Sequence, residues 1–181
     1  MADAIARRPV TVTETPWLRS LPAAAKFVFR GNASALAAAG QRLGLALPTV
    51  ACRAAVNGTR AALWLGPDEF LLLVPETEAT AVAADLAAAL GVLPHSLVDV
   101  SHRQVTLELS GPHAEWLLES QCPLPLNLRD FPVDMCTRTV FAKAEIVLWR
   151  SAAETFRMEV ARSFTPYVVD LLLEIARELP A

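Results

Sequence analysis

The chain has 181 residues, a length typical of one domain or of two very small ones. Its mass of 19.5 kDa allows a core that needs no metal or disulfide staple. The formal net charge of −3 and the isoelectric point of about 5.6 argue against a nucleic-acid-binding surface. Hydrophobic residues make up 54% of the chain and the mean hydropathy is +0.37. This apolar surplus predicts a subunit with a buried partner face.

Targeting and membrane signals are missing from the sequence pattern. Residues 1–25 lack the charged start and the continuous apolar core of a signal peptide. The most apolar stretch, 79–93, is interrupted by Asp85 and Gly91 and is shorter than the ~20 residues of a transmembrane helix. Three cysteines without a CxxC pair argue against a disulfide framework and against a zinc cluster. These features predict a cytoplasmic protein without membrane contact.

The first 25 residues carry Pro9, Pro16 and Pro22 and show no helical period. They predict a flexible N-terminal arm, 1–25, in which 11–13 could form a short edge strand. The alternative is a segment that becomes ordered against a partner.

The first half of the remaining chain alternates strands and helices. A strand at 26–30 precedes a helix that Gly31-Asn32 caps and Gly44 ends. Thr77 is predicted to cap a second helix, which ends at Gly91. Hairpin and turn signals stand at Asn57-Gly58 and at 66–69. Three further strands are predicted between the two helices: 50–56, 60–65 and 70–74.

The second half repeats this order. An alternating strand at 103–109 leads to Gly111-Pro112, which opens a helix that contains Trp116. Three strands follow a proline-rich loop: 136–141, 145–150 and 156–162. A last helix runs from about 163 or 165 to 178. Its predicted apolar stripe consists of Phe164, Tyr167, Val168, Leu171, Leu172, Ile175 and Leu179.

The two halves align with each other. Gly31 corresponds to Gly111, and two pairs of like residues support the alignment further along: Arg53 with Arg138, and Trp64 with Trp149. The sequence therefore predicts an α+β fold made of duplicated, ferredoxin-like strand–helix–strand–strand–strand–helix units with antiparallel sheets. We expect one pseudo-symmetric domain, 26–181, with half-repeats at about 26–97 and 98–181.

No residue pattern in the sequence is typical of a catalytic site. Asp99, Ser101 and His102 have the residue types of a hydrolase triad, but an extended chain points His102 away from the other two. His95, His102 and His113 are too far apart to share a metal on one helix. Phosphate-binding glycine loops are absent. The sequence therefore predicts no catalytic, cofactor-binding or metal-binding residues, which favours a binding or structural role.

Several strings in a fixed order carry a family resemblance. They are W-L-G-P-D-E-F-L-L-L at 64–73, V-D-V-S-H at 98–102, L-S-G-P-H-A-E-W-L-L at 109–118, C-P-L-P-L at 122–126, F-P at 131–132, R-T at 138–139 and R-S-F-T-P-Y at 162–167. This set resembles the gamma subunits of heterotetrameric sarcosine oxidases from about Trp17 to the C-terminus. The family usually has C-P-L-D-L in the loop, where this chain has Pro125 followed two residues later by Asn127.

A broader resemblance links the chain to a folate-binding family. Residues 98–118 are similar to the start of the glycine-cleavage T-protein, which binds tetrahydrofolate in a fold of duplicated ferredoxin-like units. That family uses an aspartate in a G-G-x-x-D-D string, whereas this chain has A-K-A-E-I-V at 142–147. Only Glu145 stands near the acidic position, so the resemblance does not extend to folate catalysis.

The resemblance implies a non-catalytic structural subunit of a complex that oxidatively demethylates sarcosine to glycine. The complex would produce hydrogen peroxide and pass a one-carbon unit to tetrahydrofolate. The implied partners are the alpha, beta and delta subunits, which would hold the FAD, FMN, NAD, tetrahydrofolate and zinc. For the isolated chain, the expectation is a soluble monomer or a homodimer.

Two alternatives stay open at this point. One is a subunit of an oxidase for another N-methylated amine. The other is a free-standing folate-binding or aminomethyltransferase-like protein, with Glu145 or Asp99 as its acid. The hypothesis of a structural subunit predicts an interface that is rich in aromatic and arginine side chains. Its candidates are the arm around Trp17 and Arg19, and the exposed members of the set Trp116, Arg138 and Trp149.

Overall fold

The computed structural model describes residues 10–179, which contain ten β-strands and four α-helices. The elements in chain order are β1 Leu18–Ser20, β2 Ala24–Gly31, α1 Ala33–Leu43, β3 Ala54–Asn57, β4 Arg60–Gly66, β5 Glu69–Pro75, α2 Ala79–Leu90, β6 His95–Asp99, β7 Gln104–Ser110, α3 Ala114–Glu119, β8 Cys136–Phe141, β9 Ala144–Ala152, β10 Thr155–Ala161 and α4 Thr165–Ile175.

The described chain divides into two compact units with the same plan. The first unit, 23–101, has a five-stranded sheet in the order β3-β4-β5-β2-β6. The second unit, 10–22 with 102–179, has a five-stranded sheet in the order β1-β7-β10-β9-β8. All strand pairs in both sheets are antiparallel. The predicted α+β class with antiparallel sheets is therefore confirmed.

In the first unit, α1 and α2 pack on one face of the sheet. The Asn32 side chain accepts a hydrogen bond from the Ala35 N–H (3.0 Å) and begins α1, as predicted. Gly44 ends α1 with φ +72°, a left-handed conformation that glycine adopts without strain. Core residues of this unit are Phe27, Phe29, Ala35, Ala39, Leu43, Ala62, Phe70, Leu72, Val74, Val82, Leu86 and Leu90.

In the second unit, α3 and α4 cover one face of the sheet. Leu107, Leu109, Phe156, Met158 and Val160 project into this core. The predicted apolar stripe of α4 is partly wrong, because Val168 and Leu172 are buried while Phe164 and Tyr167 are exposed. The two exposed aromatic rings form an edge-to-face pair with centroids 6.4 Å apart.

The duplication is visible in equivalent backbone hydrogen bonds. The Gly31 N–H donates to the Asp68 carbonyl, and the Gly111 N–H donates to the Glu154 carbonyl. The Trp64 N–H likewise donates to the Arg53 carbonyl, and the Arg150 N–H donates to the Met135 carbonyl. Trp64 therefore corresponds to Arg150, and the predicted matches of Trp64 with Trp149 and of Arg53 with Arg138 are wrong. A one-residue slip moves a strand side chain to the opposite face, so the two tryptophans lie on different faces.

Several predicted boundaries also differ from the structure. The edge strand lies at Leu18–Ser20 rather than at 11–13, and it pairs with β7. Residues 24–25 of the predicted arm already belong to β2, and residues 1–9 lie outside the described part. Thr77 lies inside a 3₁₀ turn and does not cap α2. The expectation that the two halves form one pseudo-symmetric domain stays a prediction.

Two strands and one turn also differ from the predictions. Strand β6 was not predicted, because four of its five side chains are exposed and leave little apolar signal. The strand predicted at 50–56 is shorter, Ala54–Asn57. The hairpin that follows turns at Gly58-Thr59, because Asn57 pairs with Arg60 across it. Gly58, with φ +59°, takes the first turn position.

Candidate functional site

The sheet of the second unit has a face that points away from α3 and α4, which we call the polar face. Strand pairing places one residue from each strand in a single row across this face. The row consists of Arg19 on β1, Glu108 on β7, Arg157 on β10, Trp149 on β9 and Cys136 on β8.

Glu108 is the centre of this row. Its side chain is only 5% exposed, and each of its carboxylate oxygens accepts hydrogen bonds from one arginine. Arg19 Nε and Nη2 donate to Oε1, and Arg157 Nε donates to Oε2 (3.1 Å). The Arg157 guanidinium also lies 5.1 Å from the centroid of the Trp149 ring. Two arginines therefore enclose one carboxylate, and the trio carries a net positive charge.

Further polar side chains lie beside the row. Thr106 and Glu159 are both buried, and the Thr106 hydroxyl lies 3.0 Å from each Glu159 carboxylate oxygen. Arg138 lies 3.7 Å from Glu145 in an exposed ion pair. The polar face is thus cross-linked by charged and hydroxyl side chains from all five strands of this sheet.

A second cluster centres on Arg150, which is fully buried on the opposite, core-facing side of β9. Its Nη1 donates to the Phe131 carbonyl (2.8 Å) and its Nη2 donates to the Glu115 carboxylate (2.6 Å). Its guanidinium also stacks 4.4 Å from the Phe156 ring centroid. These contacts fasten the loop 121–135, which we call the proline-rich loop, to α3 and to the sheet.

The proline-rich loop holds its own shape through further hydrogen bonds. The Leu126 N–H donates to the Glu119 carboxylate (2.7 Å). The Asn127 carboxamide oxygen accepts from the Arg129 and Asp130 N–H groups. Hydrogen bonds from the Asn127 amide and from Arg129 hold the pKa of the exposed Asp130 carboxyl below its usual value. The loop is therefore preorganised in the folded chain.

This fixed segment presents apolar side chains to solvent. Leu126 and Phe131 are buried, but Trp116 on α3 is 44% exposed, and Leu128 and Val133 on the loop are exposed as well. We call Trp116, Leu128 and Val133 the loop platform. Contiguous exposed apolar patches mark protein interaction sites, whereas single exposed apolar side chains are ordinary, so these three residues are a candidate patch.

The predicted interface residues have different positions in the structure. Trp116, Arg19 and Arg138 are exposed, although each of the two arginines has an acidic neighbour. Trp17 is half-buried and packs against the core of the second unit. Trp149 is only 4% exposed and is therefore not one of the exposed members of the predicted set.

The acidic residues considered for folate chemistry have local partners. Glu145 is largely exposed in its pair with Arg138. Asp99 Oδ1 accepts from both the N–H (2.8 Å) and the hydroxyl (2.5 Å) of Ser101. The Ser101 hydroxyl in turn accepts from the Lys26 N–H, so V-D-V-S-H completes the edge of the first sheet. His102 is exposed and does not bridge Asp99 and Ser101.

Metal-ligating residues do not converge in residues 10–179, where no group of three or more His, Cys, Asp or Glu could hold an ion. His95, His102 and His113 are exposed, and His95 Nδ1 lies 2.7 Å from the Leu93 carbonyl. Cys122 and Cys136 are buried and Cys52 is half-buried. The described helices include none with the length and apolar character of a membrane span.

A cavity of about 510 Å³ lies in the first unit between α1 and the segment that follows it. Its walls are mainly small or apolar: Ala33, Leu36, Ala37, Gly40, Leu45 and Leu47. Gly40 is needed there, because a Cβ at this position would lie 2.9 Å from the Leu45 carbonyl oxygen. The cavity contains no charged side chain that could bind a polar cofactor.

Sequence reasoning missed the residues that organise both clusters: Glu108, Arg157, Arg150 and Glu115. A signal for Arg150 was present, because it follows Ile146 and Leu148 at every second position and so falls on an apolar face. A charged residue at such a position must have a buried partner. The partner itself comes from a distant helix, which the strand pattern does not reveal.

Comparison with known proteins agrees with the fold. Residues 30–178 match the family described as "Sarcosine oxidase, gamma subunit family". The gamma subunit of sarcosine oxidase from Corynebacterium sp. (strain U-96) is 36% identical over 99% of this chain and 85% of its own length. The corresponding protein of Corynebacterium sp. (strain P-1) is 41% identical over 68% of this chain, and the match spans only 59% of that relative.

Solved structures show the same relationship. A chain of the heterotetrameric sarcosine oxidase from Corynebacterium sp. U-96 in complex with pyrrole 2-carboxylate superposes with a TM-score of 0.84 and 32% identity. The superposition covers 91% of this chain and 85% of that chain. The aminomethyltransferase T of the glycine cleavage system from Bartonella henselae shares the fold, with a TM-score of 0.69 at 16% identity over 88% of this chain and 46% of that one. The chain belongs to the sarcosine oxidase gamma subunit family.

Proposed function

We propose that the chain is a non-catalytic structural subunit of a cytoplasmic heterotetrameric sarcosine oxidase. The complex demethylates sarcosine oxidatively to glycine, releases hydrogen peroxide and transfers a one-carbon unit to tetrahydrofolate. In this proposal the alpha, beta and delta subunits hold the FAD, FMN, NAD, tetrahydrofolate and zinc. The gamma chain contributes packing surface to the assembly.

The observation that carries the proposal is the superposition on a chain of a heterotetrameric sarcosine oxidase over 91% of this chain. The local chemistry supports it. Each acidic candidate for catalysis is exposed and hydrogen-bonded or ion-paired within its own unit. The organised features are instead a fixed apolar platform and a charged row, which are suited to protein contact.

The loop platform is the proposed docking surface for another subunit. Arg150 and Glu119 hold the loop in one conformation before binding, so docking would cost little loop entropy. Trp116 is the expected anchor, because tryptophan is among the residue types that dominate binding energy in interfaces.

The test is affinity purification of the tagged chain from its own host, with the wild type and two variants compared. The wild-type chain should yield a yellow complex of several chains that produces peroxide when sarcosine is added. The Trp116→Ala variant should weaken association at least about tenfold. The Phe164→Ala variant is the matched control, because Phe164 is 43% exposed in the same unit but lies outside the platform.

The possible results test the subunit role, the folate-binding alternative and the docking surface separately. A colourless eluate that contains only this chain, from cells that express the other subunits, would contradict the subunit role. Folate binding by that isolated chain, measured by calorimetry, would then favour the folate-binding alternative. Equal association of wild type and Trp116→Ala would place the docking surface elsewhere.

A further inference from the structure

The polar face of the second unit presents two arginines that one internal carboxylate does not neutralise. Arg19 and Arg157 are 61% and 37% exposed, while the Glu108 carboxylate between them is 5% exposed. Glu108 engages only the Nε of Arg157. The terminal amino groups of this guanidinium are therefore available to a further acceptor, because each arginine has five N–H donors.

We propose that Arg19 and Arg157 form a receptor for a carboxylate side chain, Asp or Glu, on another subunit of the complex. This inference rests on the proposed function and names the chemistry of a second contact. The incoming carboxylate would accept hydrogen bonds from the terminal amino groups of the two guanidiniums, and Glu108 would hold both arginines in place.

Preorganisation favours this arrangement over a chance surface pair. The Trp149 ring and Glu108 fix the Arg157 guanidinium from two sides, so binding would not have to order a flexible side chain. Arg19 belongs to β1, whose pairing with β7 sets its side chain directly opposite Glu108. Charge-assisted hydrogen bonds to a carboxylate are strong, and arginine is enriched in interface cores.

The experiment measures binding of the purified full chain to the remaining subunits of the host's oxidase, isolated together without this chain. Arg157→Gln and Arg19→Gln should each raise the dissociation constant at least about tenfold and reduce its salt dependence. Arg42→Gln is the control, because Arg42 is a half-exposed, ion-paired arginine of the first unit. It should change the dissociation constant less than about twofold.

Glu108→Gln distinguishes a receptor from a structural cluster. Glutamine keeps an acceptor oxygen that can still position an arginine and removes only the competing charge, so this variant should preserve or tighten association, even if the melting temperature falls. The double variant Arg157→Gln with Glu108→Gln leaves no buried unpaired carboxylate, and it should still bind weakly. Circular dichroism checks that each variant is folded.

Each result has one meaning. A wild-type chain that does not bind the other subunits overturns the proposed function and this inference with it. Wild-type binding that the arginine variants leave unchanged overturns the inference alone. A folded Glu108→Gln variant that binds as weakly as Arg157→Gln also overturns it, because the arginines would then serve only to hold Glu108.

Discussion

Arg150 shows how a single charged residue can organise a surface that it does not itself reach. It is buried on the core-facing side of β9, yet it binds the Phe131 carbonyl and the Glu115 carboxylate at the same time. The backbone of Arg150 also pairs with Met135 and Asp134 at the end of the proline-rich loop. A hydrophobic side chain could fill the same space, but it could not bind the loop carbonyl.

We therefore predict that Arg150→Ala lowers the free energy of unfolding by about 3 kcal/mol, through lost hydrogen bonds and a cavity. Arg150→Met should cost less, because it keeps most of the packing against Phe156. Glu115→Gln should cost about 2 to 3 kcal/mol, because it leaves the buried Arg150 guanidinium without a counter-charge, although glutamine still accepts a hydrogen bond. Urea titration measures all three. Equal loss in the alanine and methionine variants would mean that packing contributes little.

At the level of the element, α1 is the part of the fold that local sequence determines most directly. Asn32 begins the helix through its side chain, and Gly44 ends it in a left-handed conformation. Both residues were predicted from sequence, because caps depend on neighbouring residues rather than on distant contacts.

Replacement of the α1 cap gives a prediction with a matched control. Asn32→Ala should lower the free energy of unfolding by about 1 kcal/mol, because the Ala35 N–H loses its acceptor. Asn32→Asp should stay within about 0.5 kcal/mol of wild type, since a carboxylate also caps and favours the helix N-terminus. Thermal or urea unfolding provides the measurement. A stable Asn32→Ala variant would show that tertiary packing alone sets the start of α1.

Register marks the limit of what the sequence could predict. The duplication was recognised, and Gly31 and Gly111 are equivalent as predicted. The match of Trp64 with Trp149 was wrong because it paired identical residue types, whereas equivalent strand positions must lie on the same face of the sheet. Trp64 packs against the core of its unit, and Arg150 is buried in the core of the other. The burial of Glu108 and Glu159 was also unpredictable, because their partners come from strands distant in sequence.

At the scale of the whole molecule, the two units keep one plan but differ in the face that points away from their helices. In the first unit the strand residues on that face include Leu63, Leu71 and Leu73, which are buried and apolar. In the second unit the same face carries Glu108, Arg157 and Glu159. Duplication therefore preserved the backbone and the helix-facing cores, while the other faces diverged in polarity.

We predict that this chain supplies no catalytic residue to the assembled complex. Asp99→Asn and Glu145→Gln should each leave the sarcosine-dependent rate of peroxide formation within about twofold of wild type. Both side chains are exposed and already bonded to local partners, so neither is held in a dry site as a general acid or base. Removal of a true acid–base residue would lower the rate by about 10² to 10⁴. A hundredfold loss in either variant, with the complex intact by size-exclusion chromatography, would show that this chain contributes directly to the reaction.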